Sequence, residues 1–456
     1  MIWDPLLIQK YNLSGPRYTS YPTAPLFDAS ISKIALIDRM LRPSDAPISL
    51  YFHIPFCAHL CYYCACNKIV TKQYDKGEEY VELLGEEIRL RSLMIDADRP
   101  VTQLHFGGGT PTFLSESQWQ QLFDVINRHF SLITNGSQDY SVEIDPREIS
   151  KSKLTLLTTM GINRVSIGVQ DFDIAVQRAI HRIQPVEIVE KLVNDCRELG
   201  IRSINFDLIY GLPFQTLDGF KETLNIVLRL QPERISVFNY AHLPERFPAQ
   251  KRIPEENLPS AEMKLHILKM TIDTLIENGY VYIGMDHFAK PDDTLTIAQN
   301  EGKLQRNFQG YTTHADTDLI AFGVSAISNL GGVYIQNHTD LSLYQNSIEN
   351  GQLPIMKGYI SDNDDRIRHQ VIMTLISQFR LSFQAIEQEF TIRFKEYFAV
   401  ELAKLKQLEL DGIIEILSQQ EDTIIKVTDR GRLLIRCVCM VFDKHLNSVV
   451  KYSKVI

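Results

Sequence analysis

HIPFCAHLCYYCACN, residues 53–67, places four cysteines within ten positions of a 456-residue chain that has seven in all. Cys57, Cys61 and Cys64 form C-x3-C-x2-C, and Cys66 follows two residues later. Three thiolates on one tight loop suit three irons of a [4Fe–4S] cube, with the fourth iron left open. A structural zinc site more often takes two well-separated pairs, and four ligands within ten residues would strain its tetrahedron. Inert burial explains the cluster poorly, because neighbouring loop residues cannot all face inward. The odd, clustered cysteine count also departs from the even, dispersed pattern of a disulfide-built scaffold. It fits a reducing compartment, where crowded thiols serve a metal.

The segments around this loop set the fold. ISLYFHIPF (48–56) is rich in β-branched and aromatic residues, as are VTQLHFGGG (101–109), QDYSVEID (138–145), RVSIGVQ (164–170), SINFDLIY (203–210) and RISVFNY (234–240). Between them, apolar residues recur at helical spacing: Tyr80, Leu84 and Ile88; Trp119, Leu122, Phe123 and Ile126; Val189, Leu192, Val193 and Cys196. Ser115 with Gln118 predicts a capping box, and Gly200 stands where a helix would end. Near-continuously apolar strands alternating with helices predict an α/β fold whose parallel sheet is buried on both faces. Six such units suit a curved, partial (β/α)6-type barrel better than a flat doubly wound sheet, two forms that periodicity does not separate.

A seventh strand, YVYIGMDHF (280–288), is expected after a helix over 261–279. The polar stretch 291–318 reads as a long functional loop. From Ser361 the character changes: helical segments over 364–409 lead to GIIEIL and TIIKVT, two short strands, and then to a helix from about Asp429. The expected division is an N-terminal arm over the active site (1–45), a barrel with its substrate loops (46–360), and a smaller, mostly helical, winged-helix-like lid domain (361–456).

Composition narrows the class of partner. With 44% hydrophobic and 23% charged residues and no biased tract, the chain reads as an ordinary soluble globular protein. It lacks a run of about 18 apolar residues, so no membrane span is expected. MIWDPLLIQKYNLSG, at the N-terminus, lacks a basic segment followed by a long apolar one, so a cytoplasmic location is expected and a secretory signal is not. The net charge of −9 argues against nucleic acid, while leaving room for a basic pocket around a small anion.

YFHIPFC (51–57), the cysteine spacing and the aromatic Tyr63 before the third cysteine resemble the radical SAM superfamily. There the open iron is chelated by S-adenosylmethionine (SAM), and one electron from the cluster cleaves the sulfonium to give a 5′-deoxyadenosyl radical. Longer strings resemble the oxygen-independent coproporphyrinogen III oxidase family. They are GPRYTSYPTA (15–24), CNKIVT (66–71), GGGTPT (107–112), EIDPREI (143–149), GVQDF (168–172), DLIYGLP (207–213), VFNYAHLP (237–244), GMDHFAKPDD (284–293), NFQGYTT (307–313) and GVSAIS (323–328). The similarity runs from about Tyr11 to the C-terminus, including GRLLIR (431–436) and the final KVI (454–456). Ala65 departs from the family's usual glycine, a difference confined to the loop's local conformation.

The resemblance implies that Cys57, Cys61 and Cys64 bind the cluster and that Cys66 is a nearby non-ligand. It implies SAM contacts at Tyr51, Tyr63, Gly108, Gly109, Thr110, Glu143, Gln170, Arg182, Asp207, Ala241 and Ile327, with room for a second SAM. Glycines allow close backbone approach, although a plain tight turn would use them too. No Lys-Ser/Thr pair follows them at the spacing of a phosphate loop. Glu143 and Gln170 end predicted strands and so face the barrel mouth. The planar fork of Arg182 suits a carboxylate. Asp207 lies in an apolar strand, where a carboxylate is costly unless paired or used. Tyr51, Tyr63, Ala241 and Ile327 would touch adenine or backbone, and would otherwise be core. His53 shares a face with Tyr51 and reads either as functional or as a satisfied core histidine. His105, His242 and His287 read as structural, and Cys196, Cys437 and Cys439 as packing.

The family's substrate is coproporphyrinogen III, a cyclic tetrapyrrole with propionate side chains. Its chemistry takes a hydrogen from a propionate β-carbon; loss of CO2 and of one further electron leaves a vinyl group. Two such conversions give protoporphyrinogen IX and consume two SAM. An electron donor for the cluster, a separate electron acceptor and a monomeric enzyme are expected. No side chain need act as general base at the abstraction step. Arg17, Lys68, Lys290 and Arg306 are candidate anchors for substrate carboxylates, and each is otherwise a solvated charge. Haem-trafficking relatives usually lack a cysteine at the position of Cys66 and the GPRYTSYPTA segment, and haem-opening radical SAM enzymes should depart at both. A winged-helix regulator conflicts with the acidic balance and the lack of a basic helix.

Overall fold

The computed structural model describes residues 1–96, 98–314, 317–419 and 422–446, so the final KVI at 454–456 lies outside the described residues. The chain forms two compact units, one of residues 28–280 and 316–359, the other of residues 1–27, 281–315 and 360–456.

In the first unit six strands lie side by side in chain order, all parallel, and curve into a partial barrel. They are β1 (Ile48–Ile54), β2 (Pro100–Gly108), β3 (Asp139–Ile144), β4 (Arg164–Gln170), β5 (Ser203–Tyr210) and β6 (Arg234–Asn239). Helices α1 (Lys76–Ser92), α2 (Glu116–His129), α3 (Lys151–Thr159), α4 (Val186–Glu198) and α5 (Leu217–Leu230) connect them, and α6 (Ala261–Glu277) follows β6. The expected capping box is present at the start of α2: Ser115 Oγ accepts the Gln118 N–H, and Gln118 Oε1 accepts the Ser115 N–H. Gly200, at φ +76°, follows the end of α4.

One expectation fails here. The strands are apolar on one face and polar on the other. Phe52, Phe106 and Val142 are fully buried, and Phe106 meets the α2 residue Trp119 edge-on at 4.7 Å. Alternate positions carry Tyr51, His105, Ser141, Glu143, Ser166, Asn205 and Asp207, each partly open. These face the space that the strands enclose. Because these positions stay only partly buried, polar groups cost less on that face.

The sheet continues past β1 in a way the sequence reading did not anticipate. Asp318–Phe322 pairs parallel with β1, and Ile327–Leu330 and Val333–Asn337 follow antiparallel. A buried polar knot fixes this junction. Glu87 and Arg91 of α1 form a fully buried ion pair at 2.8 Å. Glu87 also accepts the Gly323 N–H at 2.8 Å, the Tyr344 hydroxyl at 2.7 Å and an Asn337 N–H at 2.9 Å. Tyr80 donates to the His53 carbonyl and accepts the Val324 N–H, each at 2.9 Å, and so pins the end of β1.

In the second unit, YVYIGMDHF is not one strand. Gly284 (φ +143°) and Met285 (φ +51°) reverse the chain, splitting it into antiparallel Val281–Gly284 and His287–Ala289. The polar stretch after it, expected as a long functional loop, carries secondary structure. It holds the helix Thr294–Asn300 and the hairpin Gln305–Asn307/Gly310–Thr312, built on Leu295, Ala298, Leu304 and Tyr311. The C-terminal part follows the winged-helix-like expectation. Helices Asn363–Gln378, Phe383–Phe390 and Ala399–Leu410 accompany a sheet of Arg380–Ser382, Asp422–Val427 and Ile414–Gln419. The last helix among the described residues, Ile435–Val441, begins later than expected, after a 3-10 turn, and buries Cys437 and Cys439. The GPRYTSYPTA segment is tied into this unit: Arg436 donates to the Pro16 carbonyl at 2.8 Å, and Tyr18 to Asp443 at 2.9 Å. Among the described residues no helix is long and apolar enough to cross a membrane.

Candidate active site

The cysteine loop leaves the end of β1 and is clamped at both ends. Phe56–Cys57 pairs parallel with Ile69–Val70, and Gly109 and Thr110 donate backbone N–H groups to Ile54 and Phe56, each at 2.8 Å. The glycines of β2 make this approach possible. Gly108 has φ +114°, and a Cβ there would lie 2.7 Å from the His53 ring; a Cβ on Gly109 would lie 2.5 Å from the Pro55 carbonyl. These glycines let the end of β2 lie close against the chain that leads into the cysteine loop.

Cys57 and Cys61 are buried, Cys64 is partly so, and Cys66 is exposed. Burial pushes the Cys57 thiol up to about 12, against a 3.4 Å hydrogen bond from Thr110 Oγ1. The Cys64 thiol is lowered, first by a hydrogen bond from Cys66 and then by Lys68. A bound metal would displace these protons outright. Among the described residues no three Cys, His, Asp or Glu side chains close around a single ion. Three thiols carried on one loop suit a cube, in which each thiolate would hold a different iron.

Above this loop stands Glu143. Its side chain is 43% exposed, opening into the enclosed space. Its Oε2 accepts the Gly108 N–H at 3.1 Å, and Oε1 lies 3.4 Å from His105 Nε2. Burial would raise its pKa, but His105 and the Gly108 N–H outweigh that and hold it low. His105, read from sequence as structural, is thus the partner of Glu143; it also binds Ser141 at 2.7 Å and stacks on Tyr51. His53 joins Tyr51 to the loop, with Nδ1 3.2 Å from the tyrosine hydroxyl and Nε2 2.9 Å from the Asn67 carbonyl.

A second polar group sits on β4 and β5. Burial pushes Asp207 up to about 6, although Ser166 (2.7 Å) and Asn205 (2.9 Å) donate to it. Gln170, at φ +66°, ends β4. Arg182 is buried; Nη1 binds Asp145 at 2.9 Å and Cys61 Sγ at 3.5 Å, and Nη2 binds the Gly168 carbonyl at 2.7 Å. Arg182 and Arg147 hold the Asp145 carboxyl well below the usual range despite its burial. Tyr63 and Ala241 are brought together by Gln250, whose Nε2 donates to both carbonyls, at 3.0 and 3.3 Å. Ile327 begins its strand. Lys68 turns to the loop itself, donating to the Cys64 carbonyl at 2.9 Å.

Asp145, Arg147 and Gln250 were missed as individual residues. The EIDPREI string contained the first two; Gln250 acts across 187 residues and leaves no local signal.

The other three anion candidates belong to the second unit. Arg17 pairs with Asp286. Lys290 precedes the helix Thr294–Asn300, and its carbonyl accepts the Thr296 hydroxyl at 2.9 Å. Arg306 is 6% exposed and lies over the Tyr311 ring at 4.8 Å; its Nε and Nη1 lack a hydrogen-bond partner.

A family model of the Radical SAM superfamily matches residues 51–227, and one of the HemN C-terminal domain matches residues 361–434. The oxygen-independent coproporphyrinogen III oxidase of Pseudomonas aeruginosa is 50% identical, over 100% of this chain and 99% of that protein. That of Escherichia coli (strain K12) is 48% identical over 100% and 98%. A solved structure described as coproporphyrinogen III oxidase (HemN) from Escherichia coli, a radical SAM enzyme, aligns with TM-score 0.92 and 47% identity. It covers 98% of this chain and 100% of that one. Superfamily membership implies a [4Fe–4S] cluster and SAM. The haem-trafficking, haem-opening and regulatory readings gain no support from these relatives. The chain belongs to the oxygen-independent coproporphyrinogen III oxidase family of the radical SAM superfamily.

Proposed function

We propose that this chain converts two propionate side chains of coproporphyrinogen III to vinyls, giving protoporphyrinogen IX, with a [4Fe–4S] cluster held by Cys57, Cys61 and Cys64. The observation that carries this reading is the meeting, on one clamped loop, of three thiols with the end of β2 and the open Glu143 carboxylate. When bound, cluster and SAM would supply a carbon-centred radical able to take a hydrogen atom from each of two propionate β-carbons. CO2 then leaves, and one electron passes to a separate acceptor.

The protein's part is to hold and orient. Glu143, fixed by Gly108 and His105, accepts the SAM amino group, and Gly109 and Thr110 flank it. The Arg182 Nε, buried without a partner, is the donor left for a carboxylate. Asp207 and Gln170 suit ribose hydroxyls, while Tyr51, Tyr63, Ala241 and Ile327 suit adenine. A second SAM beside the first belongs to the same reading. Arg306, buried with two donors unpartnered, is the best-supported anchor for a substrate carboxylate, ahead of Arg17, Lys68 and Lys290. An electron donor serves the cluster, and the enzyme acts as a monomer.

The test is anaerobic turnover of the reconstituted protein with SAM, reductant, a cell extract as acceptor and coproporphyrinogen III, followed by chromatography of the oxidised porphyrins. Protoporphyrin together with 5′-deoxyadenosine, both lost in Cys61→Ala, is expected. SAM cleavage with unchanged porphyrin would reject the reading.

A further inference from the structure

Arg147 has no part in the chemistry above, yet it points at a cluster cysteine. It lies in the 3-10 turn Pro146–Glu148 that follows β3, two residues beyond Asp145. Its Nη2 is 3.8 Å from Cys61 Sγ. The same guanidinium forks onto Asp145, with Nε 2.9 Å from Oδ1 and Nη2 2.7 Å from Oδ2. Arg182 Nη1 reaches the same sulfur at 3.5 Å and the same carboxylate at 2.9 Å. Two guanidiniums and one carboxylate thus leave one net positive charge beside this thiol. The Arg147 and Arg182 side chains are 14% and 7% exposed, so water and salt screen that charge weakly. The other two cysteines are served differently: Cys57 takes the Thr110 hydroxyl, and Cys64 the Cys66 thiol.

We propose that Arg147 is a positioning residue that raises the reduction potential of the cluster by presenting an N–H and a positive charge to Cys61. The inference rests on the reading that Cys61 is a ligand. An electron added to an iron–sulfur cube spreads onto its sulfurs, so N–H donors and cations at a ligand sulfur stabilise the reduced form. Without Arg147 the Asp145 carboxylate would share Arg182 alone, and the local charge would fall from +1 to zero.

Arg147 could otherwise serve only to close the turn, through its fork and its own backbone N–H to Asp145 (3.1 Å). An anaerobic redox titration of the cluster-loaded protein, followed by electron paramagnetic resonance, separates the two. It compares wild type with Arg147→Lys, which keeps the charge but loses the fork, and Arg147→Gln, which loses both. The expected order of midpoints is wild type highest, Lys intermediate and Gln lowest, with iron and sulfide content unchanged. A wild-type midpoint in either variant holding a full cluster would overturn the proposal, as would loss of the cluster from both, which would assign Arg147 to loop folding. Wild-type protein that takes up no cluster would instead reject the ligand reading beneath it.

Discussion

Glu143 Oε2 accepts the Gly108 N–H at 3.1 Å, so a carboxylate on β3 is fixed against the strand end that clamps the cysteine loop. The contact joins the two halves of the proposed chemistry, since Gly108 holds the amine acceptor and Thr110, two residues on, donates to the Cys57 thiol. Glu143→Gln keeps the shape and removes the charge. With a charged hydrogen bond worth about 1.5–3 kcal/mol, SAM affinity should fall roughly 10- to 100-fold. Anaerobic equilibrium binding on the cluster-loaded protein measures this, with iron content expected to stay at the wild-type level.

Arg306→Met tests the carboxylate anchor. Two buried, unpartnered donors burden the free protein. Their removal should leave thermal stability unchanged or raised, while KM for coproporphyrinogen III rises at least about tenfold, the loss expected of a charged pairing. A lower melting temperature with unchanged KM would mark the residue as structural.

Asp207 predicts a pH signature. Its folded pKa, raised by burial to about 6, lies above the roughly 4 of an unfolded aspartate. The folded state therefore binds more protons between these values, and stability falls as pH rises from about 4 to about 6, then levels off. Unfolding curves for wild type and Asp207→Asn without SAM should diverge across that window, the variant lacking this part of the decline.

Glu87→Gln probes the knot behind β1. It would leave Arg91 buried without its counter-charge, at a cost of about 3–5 kcal/mol. Urea unfolding should show that loss, and Glu87→Leu combined with Arg91→Met should recover part of it.

Much of this architecture is legible in the sequence because its signals are local. The cysteines act within one loop, and the runs that became β1 to β6 carry their own β-branched and aromatic bias. The polar inner faces are hidden by strand alternation, since Ser166 and Asp207 sit among residues such as Val165 and Leu208 that are fully buried or nearly so. YVYIGMDHF has the composition of a strand, yet two positive-φ residues fold it back. Asp318–Phe322 was overlooked because no helical repeat announces it. The Arg182 contact with Cys61 spans 121 positions and depends on the fold for its existence.

The most direct test of the account counts iron and sulfide in wild type, Cys57→Ser, Cys61→Ser, Cys64→Ser and Cys66→Ser after identical anaerobic reconstitution, then records the reduced-cluster resonance with and without SAM. The account predicts about four irons and four sulfides in wild type and Cys66→Ser, with a spectrum that SAM perturbs, and a depleted cluster in each of the other three. A full, SAM-responsive cluster in any of those three, or its loss in Cys66→Ser, would contradict the assignment of ligands.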